Sequence, residues 1–149
     1  MDTKYWTVDN LLTKQDNYPQ LLEPAQLLKK GEVVAFPTET VYGLGANALS
    51  NKAVQKIFEA KGRPSDNPLI VHIGEVNQLE DIVLSPPNYV DKLVDKFWPG
   101  PLTLVLHKKE NLSRYVTAGL STVGVRMPDH PVALQAHQRS EYSYRSTKC

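Results

Sequence analysis

The chain has 149 residues, 41% hydrophobic and 22% charged, with a formal net charge of +1, which suits one globular domain with room for a core. So even a balance excludes a global electrostatic pull toward nucleic acid or membrane, and any basic surface is local. No apolar run approaches the ~18 residues of a membrane span, the start Met1-Asp2-Thr3-Lys4-Tyr5-Trp6 lacks a secretion-signal core, and the lone cysteine, Cys149, excludes an internal disulfide. A reducing, cytoplasmic location is expected.

Tyr5 to Val8 reads as a short strand, followed by a polar connection to Gln20. Pro24 suits the first turn of a helix that carries Ala25, Leu27 and Leu28 and stops at Gly31. Glu32 to Phe36 is a compact buried strand ended by Pro37, and a polar, glycine-marked turn follows. Ser50 is the expected N-cap of a helix over Asn51 to Ala60, with Val54, Ile57 and Phe58 on its inner face. Leu69 to Ile73 predicts a second buried strand and Val76 to Val83 a short helix. Ser85-Pro86 opens a stronger helix bearing Val90, Leu93, Val94 and Phe97. Pro99-Gly100-Pro101 stops it, and Leu102 to Leu106 and Thr122 to Met127 are further strands. Asp129 is placed to cap a helix beginning at Pro131. This alternation argues for an α/β sheet with helices packed on it.

After Leu134 the pattern changes. From Gln135 to Cys149 the only aliphatic residue is Ala136, too little apolar area to offset roughly 1–2 kcal/mol of backbone entropy per residue. The domain is therefore expected to span residues 1–136, with 137–149 a divergent, disordered tail. The sharper expectation is a chain cut or shifted out of its original reading.

Two stretches carry the chemistry. Pro37-Thr38-Glu39-Thr40-Val41-Tyr42-Gly43-Leu44-Gly45 offers hydroxyls and exposed amides just past a buried strand, where open α/β sheets bind ligands. Lys61-Gly62-Arg63-Pro64-Ser65-Asp66-Asn67-Pro68 brings two cations to a helix C-terminus, and its prolines stiffen the loop. The bland readings are a polar turn and cations favoured by the helix dipole. The density of phosphate-compatible groups favours a site, because arginine grips phosphate in a fork and lysine adds a point charge. Gly43-Leu44-Gly45-Ala46-Asn47-Ala48 matches a dinucleotide fingerprint, but the glycines come too late after the strand and no acidic residue follows at ribose distance. His72 lies in an apolar strand, where a histidine is usually a satisfied core residue. Arg126 lies opposite Val123 and Val125 by strand alternation, and burial there calls for an anionic partner. The four histidines are too scattered for a zinc site.

These stretches, together with Phe97-Trp98-Pro99-Gly100-Pro101-Leu102-Thr103 and Val125-Arg126-Met127-Pro128, resemble the YrdC-like family of threonylcarbamoyl-AMP synthases. The resemblance covers about Val33 to Leu134, with the motifs in matching order. It implies a twisted open mixed sheet with flanking helices around a positively lined cavity, incomplete here at the C-terminus. It also implies a nucleotidyltransferase that joins L-threonine, bicarbonate or CO2, and ATP into threonylcarbamoyl-AMP with release of pyrophosphate, for N6-threonylcarbamoyladenosine in tRNA. By resemblance Thr40, His72 and Arg126 contact threonine. Lys61, Arg63 and Asn67 contact ATP, with Thr122 a less firmly aligned nucleotide contact. Lys61 and Arg63, with Mg2+, would meet the charge developing on phosphorus.

One departure matters. The family pairs its K-x-R signature with a later S-x-N element, and no Ser-x-Asn follows Arg126. Weak or absent synthase activity, an uncovered apolar sheet edge and self-association are the resulting expectations. A second reading is a double-stranded RNA-binding module without catalysis, disfavoured by the near-neutral charge and the lack of stacking aromatics. Hydrogenase-maturation carbamoyl transfer is disfavoured because its zinc-finger modules need cysteines. Partner proteins of tRNA modification are compatible with the resemblance.

Overall fold

The computed structural model describes residues 3–7, 21–37, 42–62, 68–129 and 145–148. Its elements are α1 (Leu22–Lys29), β1 (Val34–Pro37), β2 (Tyr42–Ala46), α2 (Asn51–Lys61), β3 (Ile70–His72), a 3-10 segment (Val76–Asp81), α3 (Tyr89–Phe97), β4 (Leu104–His107), α4 (Arg114–Thr117), β5 (Thr122–Arg126) and β6 (Arg145–Lys148). The strands form two three-stranded sheets, ordered β1-β2-β6 and β3-β5-β4. The first is antiparallel. In the second, β3 and β5 are parallel and β4 runs against β5. β6 also runs beside β3, so the two sheets meet along that line. This is the mixed α/β arrangement expected from the sequence.

The helix α2 forms where its signals place it. Ser50 Oγ accepts a hydrogen bond from Ala53 N at 3.2 Å, satisfying one of the orphan N–H groups of the first turn. Gly62 ends the helix at φ +62°, a left-handed position that glycine occupies without steric cost. Between the caps, α2 buries two adjoining stripes. Ala53 and Ile57 pack with Ala46 beside β1 and β2. Val54 and Phe58 join the main core, which Val71, Leu104, Leu106, Val123 and Val125 supply from the second sheet and Val90 and Val94 from α3. Each fully buried aliphatic side chain there contributes about 1.5–3 kcal/mol relative to exposure. The helix α1 is held by Leu28 against Val34.

Several expectations are corrected. Tyr5 to Thr7 is not a strand. Lys4 Nζ instead donates to Glu23 Oε1 at 2.6 Å and Trp6 Nε1 to Glu23 Oε2 at 3.2 Å, so the segment is tied to α1 by side chains. The described part of the glycine-marked turn is strand. β2 runs through Gly43 and Gly45, pairing Gly43 with Phe36 and Gly45 with Val34. β1 keeps Pro37, because a strand at a sheet edge tolerates a missing N–H. The helix expected from Ser85-Pro86 begins at Tyr89, since each proline of Pro86-Pro87 disfavours helical geometry in the residue before it. Beside β2, Arg145–Lys148 adds a strand within a tail expected to have none. Main-chain hydrogen bonds suffice for this and require no apolar period. The helix expected from Pro131 lies outside the described residues.

Candidate active site

The site is built at the carboxyl ends of two parallel strands, the usual ligand position in open α/β sheets. β3 ends at His72 and β5 at Arg126, and the two are partners in register, about 4.8 Å apart as neighbouring strands. Val71, Val123 and Val125 turn to the core, so alternation turns Ile70, His72, Thr122, Gly124 and Arg126 to the other face. A Cβ on Gly124 would lie 3.2 Å from Thr103 Cγ2 and 3.7 Å from Ile70 Cγ1, so the floor behind the His72–Arg126 pair is closely filled.

His72 and Arg126 are both completely buried, an uncommon state for either residue type. The Phe36 ring meets the His72 imidazole edge-on at 6.2 Å between centroids, a favourable geometry for aromatic pairs. That contact sets the end of β1 beside the end of β3. Arg126 is held from three directions. Its carbonyl accepts from Ile73 N at 3.0 Å, and the next carbonyl, of Met127, accepts from Gly100 N at 2.8 Å. Its Nε donates to Gly100 O at 3.1 Å. Burial pushes the guanidinium below its usual pKa range by disfavouring the charged form. The Gly100 loop is itself anchored, because Trp98 Nε1 donates to Leu102 O at 2.8 Å.

Of the sequence-predicted residues, the structure brings His72 and Arg126 together. Lys61 is half-buried at the last turn of α2. Thr122 shares a face with Arg126 but opens β5 at its opposite end, about 13 Å away at strand rise, so only an elongated ligand reaches both. Thr40, Arg63 and Asn67 lie outside the described residues. Sequence reasoning missed Phe36 and Gly100 as parts of this site. The signal for Gly100 was its place between two prolines, read as a helix stop and as part of a family motif but given no role of its own. Among the described residues no group of three His, Cys, Asp or Glu is placed to hold a metal ion, and no helix is long and apolar enough to cross a membrane.

Comparison with known proteins identifies the family. The profile of the Sua5/YciO/YrdC family, described as "Telomere recombination", matches residues 26–146. A threonylcarbamoyl-AMP synthase of Bacillus subtilis (strain 168) is 59% identical over 135 residues, 90% of this chain and 39% of that protein. A threonylcarbamoyl-AMP synthase of Pyrococcus abyssi is 57% identical over 117 residues, 78% of this chain and 34% of that protein. A crystal structure of P. abyssi Sua5 complexed with L-threonine superposes with a TM-score of 0.84 at 52% identity, covering 87% of this chain and 38% of that one. The chain thus spans less than half the length of these relatives. Its matched span, its fold and its ordered motifs establish that the chain belongs to the Sua5/YciO/YrdC family.

Proposed function

We propose that this chain carries the threonine-binding part, and some of the ATP-binding part, of an L-threonylcarbamoyladenylate synthase acting toward N6-threonylcarbamoyladenosine in tRNA. The observation that carries the reading is the His72–Arg126 pair, two fully buried polar side chains in register at the carboxyl ends of parallel strands. A buried guanidinium of fixed orientation suits a carboxylate. A buried imidazole beside it suits the remaining polar groups of a small amino acid. The relative crystallised with L-threonine supports this choice of ligand.

In this reading Arg126 takes the threonine carboxylate, and His72 and Thr40 fix the rest of the amino acid. The threonine amine adds to CO2 and loses a proton, giving a carbamate. A carbamate oxygen attacks the α-phosphorus of ATP as the bond to the pyrophosphate oxygen breaks, leaving threonylcarbamoyl-AMP and pyrophosphate. Lys61 and Arg63, with Asn67 and Thr122 as nucleotide contacts, hold ATP and meet the charge that develops on the transferred and leaving groups. Mg2+ supplies charge neutralisation on the triphosphate when bound. The described residues do not form a protein site for it, and no step here depends on one. A cytoplasmic setting belongs to the same proposal.

The test is titration calorimetry of this polypeptide with L-threonine, beside a pyrophosphate-release assay with threonine, bicarbonate and MgATP. Saturable threonine binding is expected, with weak or absent pyrophosphate release because no Ser-x-Asn follows Arg126. Absence of threonine binding would overturn the reading.

A further inference from the structure

We propose that Gly100 is a positioning residue for the amino-acid carboxylate, acting through Arg126; this rests on the threonine reading above. An arginine guanidinium presents a flat fork, and its value to a carboxylate depends on the plane in which the fork is held. Gly100 sets that plane, because its carbonyl takes the Nε–H at 3.1 Å. The same residue fixes the strand end from which the side chain departs, because its N–H bonds Met127 O at 2.8 Å. One residue therefore grips both the backbone beside Arg126 and the neck of its guanidinium, and the 26-residue separation between them hides this in the sequence.

The position admits only glycine. A Cβ there would sit 2.5 Å from the main-chain oxygen of Phe97, an atom at the end of α3 that cannot swing away as a side chain would. Any side chain must displace the turn, and with it the carbonyl that orients Arg126. The prolines on either side and the bond from Trp98 Nε1 to Leu102 O limit how the turn can absorb the shift. Misplacing a binding group by about 1 Å is enough to cost on the order of 100-fold where orientation matters.

The experiment is a mutant cycle on threonine affinity, read by calorimetry, with Gly100→Ala, Arg126→Lys and the double variant. Gly100→Ala should weaken threonine binding at least about tenfold. In the Arg126→Lys background it should have almost no further effect, because the Nε donor it acts through is gone. A structural role alone would lower the melting temperature and leave the dissociation constant unchanged. Gly100→Ala within twofold of wild type, with Arg126→Lys strongly impaired, overturns the positioning role and leaves the threonine reading intact. Wild-type affinity in Arg126→Lys overturns the threonine reading itself. Should Gly100→Ala fail to fold, the Arg126 Nε–H resonance of the wild-type chain decides: protection from solvent exchange before threonine is added supports the role, and exchange at the rate of an exposed arginine overturns it.

Discussion

Exchanging Arg126 for methionine separates what this residue does for a ligand from what it does for the fold. Arg126 is completely buried, and the lowered pKa of its guanidinium reflects a desolvation cost borne by the folded state. Methionine keeps most of the aliphatic stem and removes that cost. Desolvating one such ion costs on the order of a few kcal/mol, and removing the charge recovers it. In the other direction, Gly100 O loses the donor it holds at 3.1 Å, and a buried acceptor left alone costs about 1–3 kcal/mol. The two effects nearly cancel, so the unfolding free energy should change by no more than about 2 kcal/mol. Ligand binding has no such compensation. Hydrogen bonds to charged groups contribute about 1.5–3 kcal/mol each, so losing one or more should raise the threonine dissociation constant about 10- to 100-fold or beyond. Urea unfolding measures the first quantity and calorimetric titration the second. Threonine binding within twofold of wild type, or loss of cooperative unfolding, would refute the reasoning.

Ile57→Ala should cost about 2–5 kcal/mol in urea unfolding, because Ile57 is 1% exposed and borders a small apolar pocket shared with Val54, Leu69 and Val71. Gly62→Ala should cost only about 1–2 kcal/mol; a Cβ there meets nothing within 4 Å, so the expense is the left-handed backbone alone, and a far larger loss would show that the cap was misread. The Glu23 carboxyl is held below its usual range, first by its hydrogen bond from Lys4 and then by that from Trp6. A depressed folded-state pKa gives stabilisation that is present above the unfolded pKa and lost as pH falls through the folded one. Trp6 fluorescence should therefore change below the ordinary carboxylate range, and a Glu23→Gln variant should lose that acid transition.

Much of this was legible in the chain. Ser50, the Val54-Ile57-Phe58 face and Gly62 each give one physical signal for α2, and all three agree. The valines of β5 announce a buried strand, and alternation alone sends Arg126 to the other face. β2 was hidden because Gly43 and Gly45 lack the side chains by which strands are recognised. Tyr5 to Thr7 has strand-forming residues, but in the structure the Trp6 side chain, with that of the preceding Lys4, binds a helix instead. α4 is only four residues long, too short for helical periodicity to register. The links of Arg126 to Gly100 and of His72 to Phe36 join residues far apart in the chain, and local sequence carries no mark of such pairing.

The two faces of α2 have a consequence for how the molecule comes apart. Two three-stranded sheets, each small, would on their own be expected to open as separate cooperative units. Ala53 and Ile57 belong to one of them and Val54 and Phe58 to the other, so neither sheet can open fully without stripping the same helix from its neighbour. Amide hydrogen exchange in β1 and in β5 should then report one shared opening free energy, and a ligand held by Lys61 should slow exchange in both sheets at once.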